Sequence, residues 1–172
     1  LLPWQRARLV LLLAASLMFY AWHYWPSVFL LLFTIGFNFS VGLRLAQTRS
    51  RPLLALVIVV NLLPLMWFKY AAFAVGKLRA LLSLLDITLP ISPLPTFLPL
   101  GISFFTFQVI AYQVDVFRGE VAAEQSLLRF AVFKSFFPQL IAGPIVRAKD
   151  FQPQLQQRTH FDAGLFHQGL WL

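Results

Sequence analysis

Histidines are the first side chains to consider for acid–base or metal chemistry, and this chain has three. His23 lies in an aromatic cluster typical of a membrane interface, and His160 lies in a polar stretch where solvation explains it. His167 begins an apolar run and is the best catalytic candidate by position, although helix packing explains it more simply. None has a metal ligand at helical spacing or an acidic orienting partner close in sequence, and the chain has no cysteine, so we predict no metal site.

A broken apolar segment carries a stronger signal than any histidine. The stretch from Phe136 to Arg147 contains two prolines and a glycine, with Gln139 inside it and a guanidinium at its exit. Broken helices at membrane depth are tolerated where they line a cavity or pack within protein. Only residues 135–146 of the wider run Leu127 to Val146 are uncharged, which is too short to cross, so we predict a re-entrant or in-plane element. Arg147 could then bind a phosphate or carboxylate through two parallel hydrogen bonds.

Polar side chains in apolar surroundings form the second group of candidates, since burial of charge in a bilayer is costly. For Lys134 we favour a snorkelling side chain, and for Asp115 an interfacial position at a helix end. Gln108, Gln139 and Asn38 are amides at membrane depth, where hydrogen bonds between helices explain them as well as substrate contact does.

The elements that would position these groups are apolar runs of helical length. Leu9 to Trp25 and Val28 to Leu43 predict a helical hairpin that turns at Pro26. Arginines flank both of its open ends, which indicates that those ends are cytoplasmic. Leu53 to Phe68 predicts a third span, kinked near Pro64, and Thr96 to Val114 predicts a fourth.

The remaining segments read as connections. Tyr70 to Leu85 is weakly amphipathic and predicts a helix that lies along the membrane surface. A connector follows that contains Pro90, Pro93, Pro95 and Pro99. The polar, Gln-rich stretch from Arg147 to Asp162 predicts a cytoplasmic loop leading into another helix.

Composition agrees with these assignments. The chain has 172 residues, 59% hydrophobic and 12% charged, with a mean hydropathy of +0.75. Soluble domains have about 45–50% apolar and about 25% charged residues, so an ordinary soluble domain is excluded. The formal net charge of +8 arises from basic residues that lie mainly between apolar runs. The positive-inside rule explains this placement, and we predict no nucleic-acid partner.

Several sequence blocks together resemble a known family. They are Trp67 to Tyr70, Leu98 to Gln108, Tyr112 to Glu120, Phe136 to Arg147 and Asp150-Phe151. In this order they resemble the membrane-bound O-acyltransferases, in particular the bacterial branch of alginate O-acetylation and of D-alanyl transfer to teichoic acids. The resemblance covers nearly all of residues 1–172 but only the amino-terminal part of the family's length. We therefore interpret residues 1–172 as the front part of one larger membrane domain, truncated at both ends.

This resemblance implies an all-α polytopic bundle in the bacterial inner membrane, with about four spans, an interfacial helix and the broken helix. It implies acyl transfer to a hydroxyl, with a general-base histidine in a later Trp-His-Gly segment that this chain lacks, so the fragment alone should be inactive. Gln139 and Arg147, with Gln108 and Asp115 behind them, are the candidate substrate contacts. The implied partners are an acyl donor (a small molecule or an acyl-carrier protein), a polysaccharide acceptor, the lipid bilayer and polysaccharide-modification proteins. No cofactor is implied.

Three functions stay open at this point. Acetylation of an extracytoplasmic polysaccharide such as alginate is favoured, and D-alanyl transfer to teichoic acid is the nearer alternative. A transporter or scaffold, with Asp115 or Lys134 at a permeation site, is a different class. A downstream Trp-His-Gly segment would support the enzyme, whereas an inverted repeat of the spans would support transport.

Overall fold

The computed structural model describes residues 3–84, 97–142, 146–157 and 163–171, and the regular elements in those ranges are α-helices. They are α1 (Pro3–Tyr24), α2 (Ser27–Thr48), α3 (Arg51–Ser83), α4 (Ile102–Arg118), α5 (Leu127–Ser135), α6 (Phe137–Ala142), α7 (Ala148–Gln156) and α8 (Ala163–Leu170). In this part of the chain α1, α2 and α3 are long and apolar enough to cross a membrane. The all-α helical bundle predicted from the sequence is confirmed.

The first two helices form the predicted hairpin. The turn is closed by main-chain bonds, in which the N–H of Val28 donates to the carbonyl of Trp25 at 3.1 Å. The hydroxyl of Ser27 also donates to the carbonyl of Tyr24 at 2.7 Å. The hydrogen bonds that close the turn are therefore formed within residues 24–28.

The third helix is longer than the sequence predicted. Residues 51–83 form one continuous helix with Pro64 inside it, so the separate surface helix predicted from Tyr70 to Leu85 is wrong over the described residues 70–83. Residues 70–83 are mostly alanine, leucine and lysine, which favour helix, and no proline interrupts them. A helix of 33 residues is about 50 Å long, which exceeds the roughly 30 Å of a hydrocarbon core.

The fourth helix is shorter than the predicted span from Thr96 to Val114. It begins at Ile102, after Pro99 and a left-handed Gly101 with φ of 66°. It has 17 residues and is about 26 Å long. It ends at Gly119, whose φ of 76° favours glycine and where an added Cβ would lie 2.7 Å from the guanidinium of Arg49. Of the four prolines in the predicted connector, only Pro99 lies within the described residues.

The two ends of the bundle differ in chemistry. At one end α1 begins, α2 ends, α3 begins and α4 ends, and here Arg49 lies against Gly119. Arg8 on α1 also donates to the carbonyl of Leu155 on α7 at 3.3 Å. We call this end, which carries Arg6, Arg8, Arg44, Arg49, Arg51, Arg118, Arg129 and Lys149, the basic end. At the other end the hydroxyl of Tyr20 donates to the carbonyl of Leu100 at 3.1 Å.

The broken helix starts and finishes at the basic end. Arg129 near the start of α5 and Ala148 at the start of α7 line the same cleft. Between them, the N–H of Phe137 lies 3.4 Å from the hydroxyl of Ser16, which is near the middle of α1. The start of α6 thus lies beside the middle of α1, and α7 begins again at the basic end.

The tail after the broken segment is a helix where the sequence predicted a loop. Ala148, Phe151 and Leu155 are buried on one face of α7, at the spacing of an amphipathic helix. The ring of Phe151 packs against those of Phe133 and Phe136, with centroids 5.8 and 5.3 Å away. This packing explains why a Gln-rich stretch is ordered. The rest of the predicted loop, residues 158–162, lies outside the described residues, and α8 follows as the predicted next helix.

Candidate functional site

Two of the four candidate substrate contacts meet inside the bundle. The side-chain amide of Gln108 on α4 donates to Oε1 of Gln139 on α6 at 3.3 Å, and both side chains are buried. The Oε1 atom of Gln108 has no hydrogen-bond partner among the described residues. A buried amide with unused hydrogen-bonding capacity can orient a polar ligand. The Gln108–Gln139 pair therefore remains a candidate binding site.

Local geometry at Phe136 brings Gln139 to this position. The helix breaks at Phe136, whose φ of −55° and ψ of 105° are not helical, rather than at Pro138. Pro138 lies in the first turn of α6, where its missing N–H is not needed and its fixed φ suits a helix. The sequence therefore predicted the break correctly but assigned it to the wrong residue. The other predicted helix breakers, Gly143 and Pro144, lie outside the described residues.

Lys134 does not snorkel, contrary to the sequence-based interpretation. Its side chain is 1% exposed, and its Nζ atom has no hydrogen-bond partner among the described residues. The ammonium lies 5.4 Å from the ring centroid of Phe105, within the range of a cation–π contact. The short helix α5, which lies outside the three spanning helices, places Lys134 in the interior, where burial lowers its pKa well below the ordinary value. Phe105 and Gln108 are one turn apart on α4, so this lysine lies near the Gln108–Gln139 pair.

The other two candidates lie away from this pair. Asp115 is buried near the carboxyl end of α4, and its seven-residue separation from Gln108 places it about 10 Å further toward the basic end. Arg147 is exposed and occupies the residue before α7. The four candidates therefore do not form one cluster in the described residues. Gln108 and Gln139 form a pair in the interior, whereas Asp115 and Arg147 lie separately.

A network of amides fixes α4 against its neighbours. Asn38 on α2 and Asn61 on α3 exchange two side-chain hydrogen bonds, each 2.8 Å long. On α4, Gln113 donates to the main-chain carbonyl of Asn38 at 2.8 Å and to its Oδ1 at 3.2 Å. Hydrogen bonding between helices, one of the two explanations weighed for Asn38, is thus present in the structure.

A cleft of about 420 Å³ lies at the basic end, between the loop after α4 and helix α7, with charged and apolar residues in its walls. In its wall, Oε1 of Glu124 accepts hydrogen bonds from Nε and a terminal nitrogen of Arg129 at 3.0 and 2.7 Å. The hydroxyl of Tyr112 accepts the main-chain N–H of Glu124 at 3.0 Å, which fastens this loop to α4. Sequence reasoning missed this ion pair. The only sign of the pair in the sequence is that Glu124 and Arg129, which have opposite charges, lie five residues apart at the start of α5.

The histidines provide no acid–base site in the described residues. His23 is exposed at the end of the bundle opposite the basic end, with its ring centroid 6.0 Å from that of Phe97. His167 is exposed on α8 and its Nε2 accepts the indole N–H of Trp171 at 3.3 Å, while His160 lies outside the described residues. Among the residues described here, no group of three histidine, aspartate or glutamate side chains could hold a metal ion.

Comparison with known proteins gives related sequences. The chain is 44% identical to the probable alginate O-acetylase AlgI of Pseudomonas aeruginosa, over 91% of this chain and 31% of that protein. It is 42% identical to the probable alginate O-acetylase AlgI of Azotobacter vinelandii, over 90% of this chain and 32% of that protein. It is 32% identical to the peptidoglycan O-acetyltransferase of Helicobacter pylori, over 87% of this chain and 33% of that protein.

The chain thus spans about one third of the length of these relatives. No protein-family model matches it, and no solved structure matches it. The comparison therefore confirms that this chain is related to the membrane-bound O-acyltransferases that its motif blocks resemble.

Proposed function

We propose that the whole protein is a multi-pass inner-membrane enzyme that transfers an acyl group, most simply acetyl, to hydroxyls of an extracytoplasmic polysaccharide of the alginate type. The observation that carries this proposal is identity of 39–44% with alginate O-acetylases over 91% or 90% of the chain. The relatives are named as O-acetylating enzymes of different polymers, alginate and peptidoglycan, so the acyl group is better supported than the acceptor.

Within this enzyme, residues 1–172 would supply part of the wall of the reaction chamber rather than the reacting base. The re-entrant α5–α6 segment carries Gln139 to the middle of the bundle, where it meets Gln108. Side-chain amides can orient a carbonyl or hydroxyl of a bound substrate by hydrogen bonding. A closed apolar bundle around them would also limit hydrolysis of the acyl donor.

Arg147 would bind an anionic part of the donor or acceptor. It is exposed, it follows the broken segment, and its guanidinium offers a planar pair of donors. Loss of a charge-assisted hydrogen bond costs about 1.5–3 kcal/mol, which corresponds to roughly ten- to a hundredfold in rate. In the full-length protein, Arg147→Ala should therefore lower polymer acetylation by at least about tenfold while membrane abundance stays normal.

The matched control is Arg51→Ala, which removes an exposed arginine at the start of α3, away from the broken segment. Acetylation of the polymer and abundance in the membrane fraction would be measured together for both variants. Normal acetylation by Arg147→Ala at normal abundance would exclude the role of Arg147. Wild-type full-length protein that transfers no acyl group to any hydroxyl polymer, although correctly inserted, would exclude the proposed function itself.

A further inference from the structure

The cleft at the basic end has two chemically different walls. One wall is the loop after α4, which includes Glu120 and Glu124. The other wall comes from α7, which supplies Lys149 and Gln152. Its volume of about 420 Å³ lies within the usual range for small-ligand sites.

The polar groups of the α7 wall lack partners in the described residues, whereas the buried carboxylate of Glu124 in the loop wall is already paired. Glu124 is paired with Arg129 and also accepts the main-chain N–H of Ser126 at 2.8 Å. Lys149 is exposed and forms no ion pair with the described residues. Gln152 is only 8% exposed, and its Nε2 has no hydrogen-bond partner among the described residues. The α7 wall therefore has free donors for an anionic oxygen group.

The loop wall has the opposite preference. Glu120 is half exposed, and its carboxylate is only loosely paired, 3.7 Å from the guanidinium of Arg118, which is more exposed still. An ion pair of this kind contributes little, so the carboxylate is available to a cation. A purely anionic ligand would be repelled by this wall, whereas a ligand with a negative and a positive group would match both walls.

The position of the cleft selects among ligands of that chemistry. It lies where α4 ends and α5 begins, at the end of the bundle where α1 and α3 begin and α2 ends. This is the level of phospholipid headgroups for a helix that spans the bilayer. Leu127, at the start of α5, is 51% exposed and offers an apolar contact for an acyl chain.

We propose that this cleft binds the headgroup of a phosphatidylethanolamine-type lipid. Its phosphate contacts Lys149 and Gln152 on α7, and its primary ammonium contacts Glu120 on the loop. A phosphatidylcholine headgroup has the same charges, but its methylated ammonium cannot donate a hydrogen bond to a carboxylate. The anionic headgroup of phosphatidylglycerol lacks the ammonium altogether.

The test uses the full chain in nanodiscs that contain equal amounts of phosphatidylethanolamine, phosphatidylcholine and phosphatidylglycerol. Native mass spectrometry after release from the nanodisc measures which lipids stay bound. We expect phosphatidylethanolamine to be retained about tenfold over each of the other two. Equal retention of the three lipids, or preference for phosphatidylglycerol, would overturn the proposal.

Two substitutions assign the retention to the cleft. Lys149→Glu should abolish the preference for phosphatidylethanolamine, whereas Lys77→Glu, the same change on an exposed lysine of α3, should keep it. Gln152→Leu should reduce retention, whereas Gln154→Leu on the exposed side of α7 should leave it unchanged. Both α7 variants are compared by far-ultraviolet circular dichroism with the wild type. Folded Lys149→Glu protein with unaltered retention would contradict the assignment.

A water-soluble probe distinguishes a lipid from a free phosphate ester. Glycerophosphoethanolamine carries the same headgroup without acyl chains, and it is added to the same nanodiscs at millimolar concentration. Failure of this probe to displace the lipid supports a membrane lipid as the occupant. Displacement of the lipid by this probe would show that the site takes a soluble phosphate ester, which contradicts the proposal.

Discussion

The amide network between α2, α3 and α4 predicts that Asn38→Leu and Asn61→Leu lower the free energy of unfolding by different amounts. In Asn61→Leu, Asn38 loses its two bonds to Asn61, but its Oδ1 still accepts from Gln113 at 3.2 Å. Its Nδ2 likewise still donates to the carbonyl of Thr34 at 2.8 Å. In Asn38→Leu, by contrast, Oδ1 of Asn61 loses the only donor that contacts it in the described residues. The Asn38 substitution thus creates an unsatisfied buried acceptor, and the Asn61 substitution does not.

The magnitudes follow from this difference. Hydrogen bonds between helices in membrane proteins are worth about 0.6 kcal/mol each, so the two lost in Asn61→Leu should cost about 1 kcal/mol. An unsatisfied buried acceptor adds about 1–3 kcal/mol, so Asn38→Leu should cost about 2–4 kcal/mol. The double substitution removes both the acceptor and its donor. It should therefore cost at least about 1 kcal/mol less than the sum of the single substitutions.

The measurement is the free energy of unfolding of the chain in bicelles, from denaturant titrations followed by circular dichroism. Ser40→Leu is the control, because Ser40 is exposed on α2 and its hydroxyl bonds only to the main-chain carbonyl of Gly36 at 2.9 Å. That variant should stay within about 0.5 kcal/mol of the wild type. Equal costs for Asn38→Leu and Asn61→Leu, or a double variant whose cost equals the sum, would refute the reasoning.

Two further predictions concern packing and charge in the interior. An added Cβ at Gly42 would lie 3.2 Å from the ring of Tyr112, so Gly42→Leu should destabilise the chain by about 1–3 kcal/mol. Gly36→Leu is the control, because an added Cβ at Gly36 would meet no atom within 4 Å, and it should not destabilise the chain. Equal unfolding midpoints for the two variants would contradict this prediction. Lys134→Met should raise stability at neutral pH by about 1–3 kcal/mol, because it removes a buried ammonium that has no hydrogen-bond partner in the described residues. Since the folded-state pKa of Lys134 is lowered, the unfolded chain binds more protons, and wild-type stability should rise with pH from neutrality toward the ordinary lysine pKa. Lys134→Met should lose that slope in unfolding titrations across this pH range, and an unchanged slope would assign it to other groups.

Hydrophobic patterning predicted much of the fold. The hairpin of α1 and α2, the third span and the broken segment all follow from apolar runs and the prolines and arginines between them. Two predicted helix boundaries were wrong. Apolar periodicity does not mark the end of a helix where the following residues also have a high helix propensity. Residues 70–83 continue α3 for that reason. Helix α4 begins at Ile102 rather than at the predicted Thr96, because Pro99 and the left-handed Gly101 interrupt a helix there.

The candidate site was less predictable because it depends on contacts between distant segments. Sequence identified Gln108 and Gln139 as polar groups at depth, but only the fold shows that they hydrogen-bond across α4 and α6. For Lys134, snorkelling failed because α5 is short and packed on several sides, which leaves no route from its ammonium to the surface. The fold of α7 depends on Phe151 meeting two rings of the broken segment, which no local pattern reveals.

Helix α4 links the structural network to the candidate site. Gln113 and Gln108 are five residues apart, so their side chains point roughly 140° apart around the helix axis. One side of α4 is thus fixed by the amides of α2 and α3, while another side presents Gln108 to Gln139 on α6. Phe107 is the exposed residue between the ends of α4, so the helix cannot rotate without burying it or exposing a glutamine. The amide network therefore determines which face of α4 meets the broken helix, and a substitution at Asn38 should disturb the Gln108–Gln139 contact although it lies on neither helix.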